Sequence, residues 1–219
     1  MTTLITGANR GIGLELTKQL RARGEDVIAV CRKGSPELAA TGARVEEGID
    51  IAADAAPAEI ATRVGATKLD LLIHNAGILQ RNALGALDVA SIRTQFEVNA
   101  LAPLRITDAL LKSLDRGRKI AIITSLMGSI ADNGSGGSYG YRMSKAAVNI
   151  AGVSLARDLA GRGIAVVLLH PGFVRTEMTG NHGNIEPADA ARGLLARIDA
   201  LTLEKSGKFW HADGRELPW

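Results

Sequence analysis

Two side chains able to handle a proton stand four residues apart in Tyr141-Arg142-Met143-Ser144-Lys145. On a helix, residues i and i+4 leave the same face one turn apart, so a phenol and an ammonium would share one small volume. A tyrosine that gives or takes a proton near neutral pH needs its pKa of about 10 lowered, and an adjacent cation does this by favouring the phenolate. The same pair can also be a ring packed on a lysine stem, so the spacing acquires meaning only from its surroundings.

Other reactive residue types are sparse. His74, His170, His182 and His211 are scattered without ligand spacing, so no metal site is expected. A single cysteine, Cys31, cannot form an internal disulfide, which fits a reducing cytoplasm. The net charge of +3 is too slight to argue for a nucleic-acid partner. With 46% hydrophobic but only 3% aromatic residues, the core must be aliphatic. The longest strong apolar run, Ile164 to Leu169, is strand-sized, so no membrane partner is expected. The first apolar residues belong to a strand signal, Thr2 to Thr6, rather than to a secretory leader. A chain of 219 residues suits one domain with one large core.

The elements that must position these groups read as alternating strands and helices. Thr2 to Thr6 runs into Gly7-Ala8-Asn9-Arg10-Gly11-Ile12-Gly13 and then into a helical pattern at Leu14, Leu16 and Leu20. Strand, glycine turn and helix form the order of a dinucleotide-binding unit, in which backbone amides and a helix N-terminus face a pyrophosphate. The glycine spacing is G-x-x-x-G-x-G rather than G-x-G-x-x-G, and a turn without a ligand is the alternative. A second strand, Val27 to Cys31, ends in Arg32-Lys33 with no carboxylate. That end of such a unit faces the adenosine ribose, where a guanidinium can bind a 2′-phosphate through two charge-assisted bonds. Two solvated cations are the plainer reading.

Val45 to Ile49 is predicted as the third strand, closing on Asp50-Ile51. Asp50 is either a turn residue or an acceptor for the adenine amino group. The fourth strand, Leu69 to Ile73, runs into His74-Asn75-Ala76-Gly77, and His74 is expected to be packed and hydrogen-bonded. A helical period spans Asp88 to Leu114 with Pro103 inside it. Proline offers no N–H to the Asn99 carbonyl, so a kink at Asn99 is predicted, with that carbonyl left to hold a water. Lys119 to Thr124 is the fifth strand, and it places Ser125 at its carboxyl end. The loop Asp132 to Gly137 lacks the context of a P-loop. A helix from about Ser138 to Ala160 carries Tyr141 and Lys145. Its small residues Ala146, Ala147, Ala151 and Gly152 suit close packing, either in a homodimer or homotetramer or against its own chain. Ile164 to Leu169 precedes His170-Pro171-Gly172-Phe173-Val174-Arg175-Thr176. A last helix from about Glu186 to Leu203 and a short strand, Lys208 to Trp210, complete the pattern.

Such alternation predicts an α/β fold: one doubly wound Rossmann domain over residues 1–219, with a seven-stranded parallel sheet, helices on both faces and one site on the rim. At this point the sequence resembles the short-chain dehydrogenase/reductase family over essentially its whole length. The motifs that carry the resemblance are Thr6-Gly7-x-x-x-Gly11-x-Gly13, Asn75-Ala76-Gly77, Asn99, Ser125, Tyr141-x-x-x-Lys145 and Pro171-Gly172-x-Val174-x-Thr176. Met127 to Ile130, Gly140 to Lys145, Asp213-Gly214 and Pro218-Trp219 are similar to the subgroup called C-factor-like or carbonyl-reductase-like. Three departures stand out. The interval from Ser125 to Tyr141 is a few residues longer than in most relatives, which makes Ser129 and Ser138 rivals of Ser125. His74 stands where many relatives have Asn. The link from Thr176 to Glu186 replaces a longer substrate-covering lid.

The resemblance implies hydride transfer between a nicotinamide and a carbonyl or alcohol carbon of a small molecule, with NADP favoured over NAD. It implies catalytic roles for Asn99, Ser125, Tyr141 and Lys145. Cofactor contacts are implied for Gly7, Asn9, Arg10, Gly11, Ile12 and Gly13 in the glycine turn, and for Arg32, Asp50 and Ile51 around the adenosine. Further contacts are implied for Asn75, Ala76, Gly77, Tyr141 and Lys145, and for Pro171, Gly172, Val174 and Thr176 near the carboxamide. A dinucleotide-binding signalling or regulatory protein is the alternative, since a fold does not dictate a function.

Overall fold

A computed structural model describes residues 1–219. In chain order the elements are β1 (Thr2–Thr6), α1 (Gly11–Ala22), β2 (Asp26–Val30), α2 (Pro36–Ala39), β3 (Arg44–Glu46), α3 (Ala56–Val64), β4 (Leu69–His74), α4 (Val89–Phe96), α5 (Ala102–Ala109), β5 (Leu114–Ile123), α6 (Tyr139–Ala160), β6 (Ala165–His170), α7 (Pro187–Asp199) and β7 (Phe209–His211). All seven strands join one sheet in the order β3-β2-β1-β4-β5-β6-β7. Every pairing is parallel.

The strands are apolar without alternation because both sheet faces are covered. Successive side chains point to opposite faces. Leu4, Ile28, Val30, Leu72, Ile120, Ile122 and Val166 therefore pack on one side with Ile60, Ile106, Val148 and Leu159 from α3, α5 and α6. Ile5, Val27, Ala29, Ile73, Ala121 and Val167 pack on the other with Leu16 and Leu20 of α1 and Leu194, Leu195 and Ile198 of α7. Chain order reverses between β1 and β4, so the crevice for a ligand opens beyond the carboxyl ends of these two strands.

The observed boundaries depart from expectation where glycine or proline intervenes. β3 stops at Glu46 because Gly48, at φ 85°, turns the chain. The long helical stretch is interrupted where the kink was predicted. A π-helical turn over Glu97–Leu101 separates α4 from α5, and the Ala102 N–H donates to the Glu97 carbonyl, one residue further back than in an α-helix. β5 begins earlier than predicted, at Leu114, with a register irregularity against β4 between Leu69 and Leu71. The last helix closes at Asp199, short of Leu203. Gly152 of α6 packs within the chain: a Cβ there would come within 2.8 Å of Leu168 Cδ2 on β6. No helix is long and apolar enough to cross a membrane.

Candidate active site

At the reversal point Asn75 joins β1 to β4. Its amide Nδ2 donates to the Thr6 carbonyl (3.1 Å) and the Gly7 carbonyl (3.0 Å). The Thr6 hydroxyl accepts from the Asn75 and Ala76 N–H groups, both at 3.2 Å. The glycine turn is pressed against this junction. A Cβ on Gly13 would lie 2.2 Å from the Gly7 carbonyl oxygen and 2.5 Å from Asn75 Nδ2, and one on Gly7 would lie 2.8 Å from Ala76 Cα. Glycine is therefore required at both positions, and at Gly7 also by a φ of 68°.

A cavity of about 700 Å³ opens from this turn, within the range of small-molecule and cofactor pockets. Its wall includes Gly7, Asn9, Arg10, Gly11, Ile12, Gly13, Arg32, Asp50, Ile51, Asn75, Ala76, Gly77, Tyr141, Lys145, Pro171 and Thr176. The exposed cations Arg32 and Lys33 mark one end, and the buried Tyr141 and Lys145 mark the other. This cradle suits an extended dinucleotide. A glycine-lined backbone turn at the start of α1 would face a pyrophosphate, with the cations at one end of the cavity and the buried phenol and amine at the other. Asp50 is a turn residue whose carboxylate accepts from the Ala52 N–H at 3.1 Å, and it lines the cavity.

The proton-handling groups come from one helix and one strand end, with Asn99 beside them in the π-helical turn. Tyr141 and Lys145 lie one turn apart on α6, with Lys145 Nζ 5.8 Å from the centroid of the Tyr141 ring. Ser125, just past β5, lies near enough to the phenol to favour its ionised form, and its hydroxyl accepts from the Met127 N–H at 3.2 Å. Of its rivals, Ser129 is buried with its hydroxyl accepting from the Asp132 N–H, and Ser138 precedes α6 in a left-handed conformation. Asn99 stands in the π-helical turn. Its Nδ2 donates to the Ile78 carbonyl and to Ser144 Oγ, and its Oδ1 accepts from the Ile78 N–H, all at 2.9 Å. A Cβ on Gly77 would meet both Asn99 Oδ1 (3.3 Å) and Lys145 Nζ (3.6 Å), so these two polar groups flank one glycine.

One expectation is reversed. Lys145 was expected to lower the Tyr141 pKa, yet the phenol is pushed up to about 12, because burial outweighs the opposing influence of Ser125. Burial also brings the Lys145 ammonium down to about 8. Its hydrogen bond goes to the Ile123 carbonyl, 3.0 Å away. His74 is packed and hydrogen-bonded as expected, with Nε2 2.8 Å from the Thr107 hydroxyl and burial holding the ring near a pKa of about 3.

Gly172 and Val174 lie off the cavity wall. Gly172, at φ 90°, is packed so closely that a Cβ would come within 2.4 Å of Ile185 Cδ1, and Val174 is buried in a bridge with Ile185. They shape the turn that presents Pro171 and Thr176. Arg10, expected to face the cofactor, is paired across the cavity mouth with Glu177. Sequence reasoning missed Glu177 and Met178, which follow Thr176 directly, and Cys31, Ile78 and Thr124, which adjoin predicted site residues.

A seven-stranded parallel sheet with a glycine turn at the reversal point and a Tyr/Lys pair at the end of one cleft, with Ser125 near the phenol, defines a dinucleotide-binding oxidoreductase of the α/β class. The family model described as short chain dehydrogenase matches residues 1–186, and the chain belongs to that family. It is 45% identical to 1-hydroxy-2-glutathionyl-2-methyl-3-butene dehydrogenase of Rhodococcus sp. (strain AD45), over 100% of this chain and 99% of that protein. It is 47% identical to the C-signal of Myxococcus xanthus, over 73% of this chain and 98% of that protein. Among solved structures it superimposes on the NADPH-bound carbonyl reductase from chicken fatty liver with a TM-score of 0.89 and 29% identity, covering 100% of this chain and 98% of that one.

Proposed function

We propose that this short-chain dehydrogenase/reductase is an NADP(H)-dependent carbonyl reductase, interconverting an aldehyde or ketone with its alcohol. The observation that carries this reading is the pairing of Tyr141 and Lys145, with Ser125 close to the phenol, at one end of a cleft whose other end holds Arg32 and Lys33. When bound, the nicotinamide supplies or accepts the hydride. The chain's own groups do the rest. Ser125 donates to the substrate oxygen as negative charge grows on it, and Tyr141 protonates that oxygen as general acid. Lys145 keeps positive charge beside the phenol as the proton leaves. Asn99 braces the Ile78 backbone against α6 and so fixes the floor beneath Lys145. Arg32, with Lys33, supports a preference for the 2′-phosphorylated cofactor.

Assay of NADPH oxidation against a panel of aldehydes and ketones tests the proposal, and NADP reduction with a glutathione-conjugated alcohol extends the panel toward the substrate named for the Rhodococcus relative. Tyr141→Phe should keep cofactor binding and lose about 10²- to 10⁴-fold in turnover. Unchanged turnover removes the role given to Tyr141.

A second reading is supported by the similarity to the C-signal. On it the fold binds a dinucleotide for a signalling or regulatory role with secondary catalysis. Binding of NADPH without turnover of any panel substrate favours that reading.

A further inference from the structure

The segment between Ser125 and Tyr141 borders the candidate reaction centre at both of its ends. Its first turn is wedged onto α6, where a Cβ on Gly128 would come within 2.7 Å of the Lys145 carbonyl carbon. Beyond that turn, residues 130–136 are exposed. Two tethers reach this stretch from outside. The Arg142 guanidinium donates to Ser135 Oγ (2.8 Å) and to the Gly136 carbonyl (3.2 Å). At the other end, the Ala131 N–H donates to the Trp219 backbone oxygen at 2.8 Å.

Trp219 is itself well anchored. Its ring stacks on Phe209 of β7, with centroids 5.3 Å apart and planes 25° apart, and Phe209 is only 1% exposed. After the turn at Asp213-Gly214 the chain doubles back along β7, where the Leu217 N–H donates to the Phe209 carbonyl at 2.8 Å. The buried edge of the sheet is thus coupled, through one aromatic stack and one hydrogen bond, to the loop that leads from the serine to the tyrosine.

We infer that Trp219 is a positioning residue for the carbonyl substrate: by holding Ala131 it keeps residues 129–137 in place as a wall of the substrate half of the site. The inference rests on the reading of Ser125 and Tyr141 as the reaction centre. Trp219 does not line the cofactor cavity, and it touches neither Tyr141 nor Lys145 through any hydrogen bond or ring contact. The wall matters for substrates large enough to reach it.

Steady-state kinetics with NADPH, using a small aldehyde and a bulky aryl ketone, tests this. Trp219→Ala should raise the KM for the aryl ketone on the order of tenfold, the scale expected when a substrate loses its positioning contacts. It should leave kcat, the KM for the aldehyde and the Kd for NADPH unchanged. Trp219→Phe, which restores a stacking ring, should return the ketone KM to the wild-type value. Ala131→Pro, which removes the N–H but spares the indole, should reproduce the rise. The inference is overturned by an unchanged ketone KM in Trp219→Ala, or by a joint loss of kcat and NADPH affinity for both substrates together with a lowered Tm, which marks a merely structural role. Wild-type protein that reduces neither substrate overturns the reading of the site, and the positioning role with it.

Discussion

Lys145 Nζ donates to the Ile123 carbonyl at 3.0 Å while standing 5.8 Å from the centroid of the Tyr141 ring, so the end of β5 anchors its charge beside the phenol. Burial then depresses the ammonium from 10.5 to about 8. Activity and stability should respond in opposite senses. Reduction requires the cation beside the phenol, and Tyr141, raised to about 12, stays protonated. The logarithm of kcat/KM is therefore expected to fall above about pH 8, and a flat profile to pH 10 removes this role for Lys145. For stability, the folded state binds fewer protons than the unfolded one between pH 8 and 10.5, so the cost of burying the ammonium is full below that window and fades as pH rises through it. Lys145→Met should abolish turnover yet stabilise the fold at pH 7 by up to about 3 kcal/mol, the equivalent of the depression. The gain over wild type, read by Tm, should shrink toward pH 10.5.

Ser125 and Ser129 compete for the same role on sequence grounds and are separated by their influence on Tyr141. Each hydroxyl accepts from a nearby backbone N–H, Ser125 from Met127 at 3.2 Å and Ser129 from Asp132 at 3.1 Å, but only Ser125 draws the Tyr141 phenol toward its ionised form. Ser125→Ala should cost about 10²- to 10³-fold in kcat, as loss of one donor to a developing oxyanion does. Ser129→Ala should leave kcat within a few-fold of wild type. Reversal of this order in the same assay would transfer the role to Ser129.

Much of this site could be read from the sequence because its parts obey local rules. The strands are buried on both faces and so appear as continuous apolar runs. The Tyr141–Lys145 spacing needs only a helix, and the interruption near Asn99 follows from the missing N–H of Pro103. What escaped depends on contacts made across the fold. α6 begins without a side-chain cap of its own. Asn82, from the loop after β4, accepts from the Gly140 N–H at 3.2 Å instead. A Cβ on Gly140 would sit 2.5 Å from Gln95 Nε2, so this glycine is required by α4 rather than by any turn. The direction of the Tyr141 shift was misjudged for a related reason, since a cation nearby in sequence is visible but the depth of burial around the ring is not.

Arg10 and Glu177 are far apart in the chain and meet across the mouth of the cofactor cleft, both more than half exposed. An exposed pair contributes at most about 1 kcal/mol, and a cofactor phosphate that uses Arg10 must first displace Glu177. Glu177→Gln should therefore tighten NADPH binding by up to about fivefold. Arg32→Asp should shift preference toward NADH by removing a guanidinium and adding an acceptor for a free 2′-hydroxyl. Fluorescence titration of both variants with NADPH and NADH reads these effects. Unaltered preference in Arg32→Asp would leave Arg32 as a surface cation.

Asn99 satisfies both the N–H and the carbonyl of Ile78 and also bonds Ser144, all at 2.9 Å, from a side chain that is only 1% exposed. Ile78 lies in the loop whose Asn82 caps α6, and Ser144 in turn donates to the Tyr141 carbonyl at 2.9 Å. One amide therefore couples the π-helical turn, the loop and the helix that carries Tyr141 and Lys145. Asn99→Leu preserves bulk but leaves the Ile78 N–H and carbonyl without partners and removes the donor to the Ser144 hydroxyl, with an expected cost of about 2–4 kcal/mol in urea unfolding. Asn99→Asp can still accept from the Ile78 N–H but offers no N–H to the Ile78 carbonyl, so it should fall between Leu and wild type. Because the damage passes through α6 to Tyr141, kcat should decline in the same order, wild type above Asp above Leu. A Leu variant as stable as wild type would mean that Ile78 and Ser144 find other partners and that Asn99 is not the brace of this site.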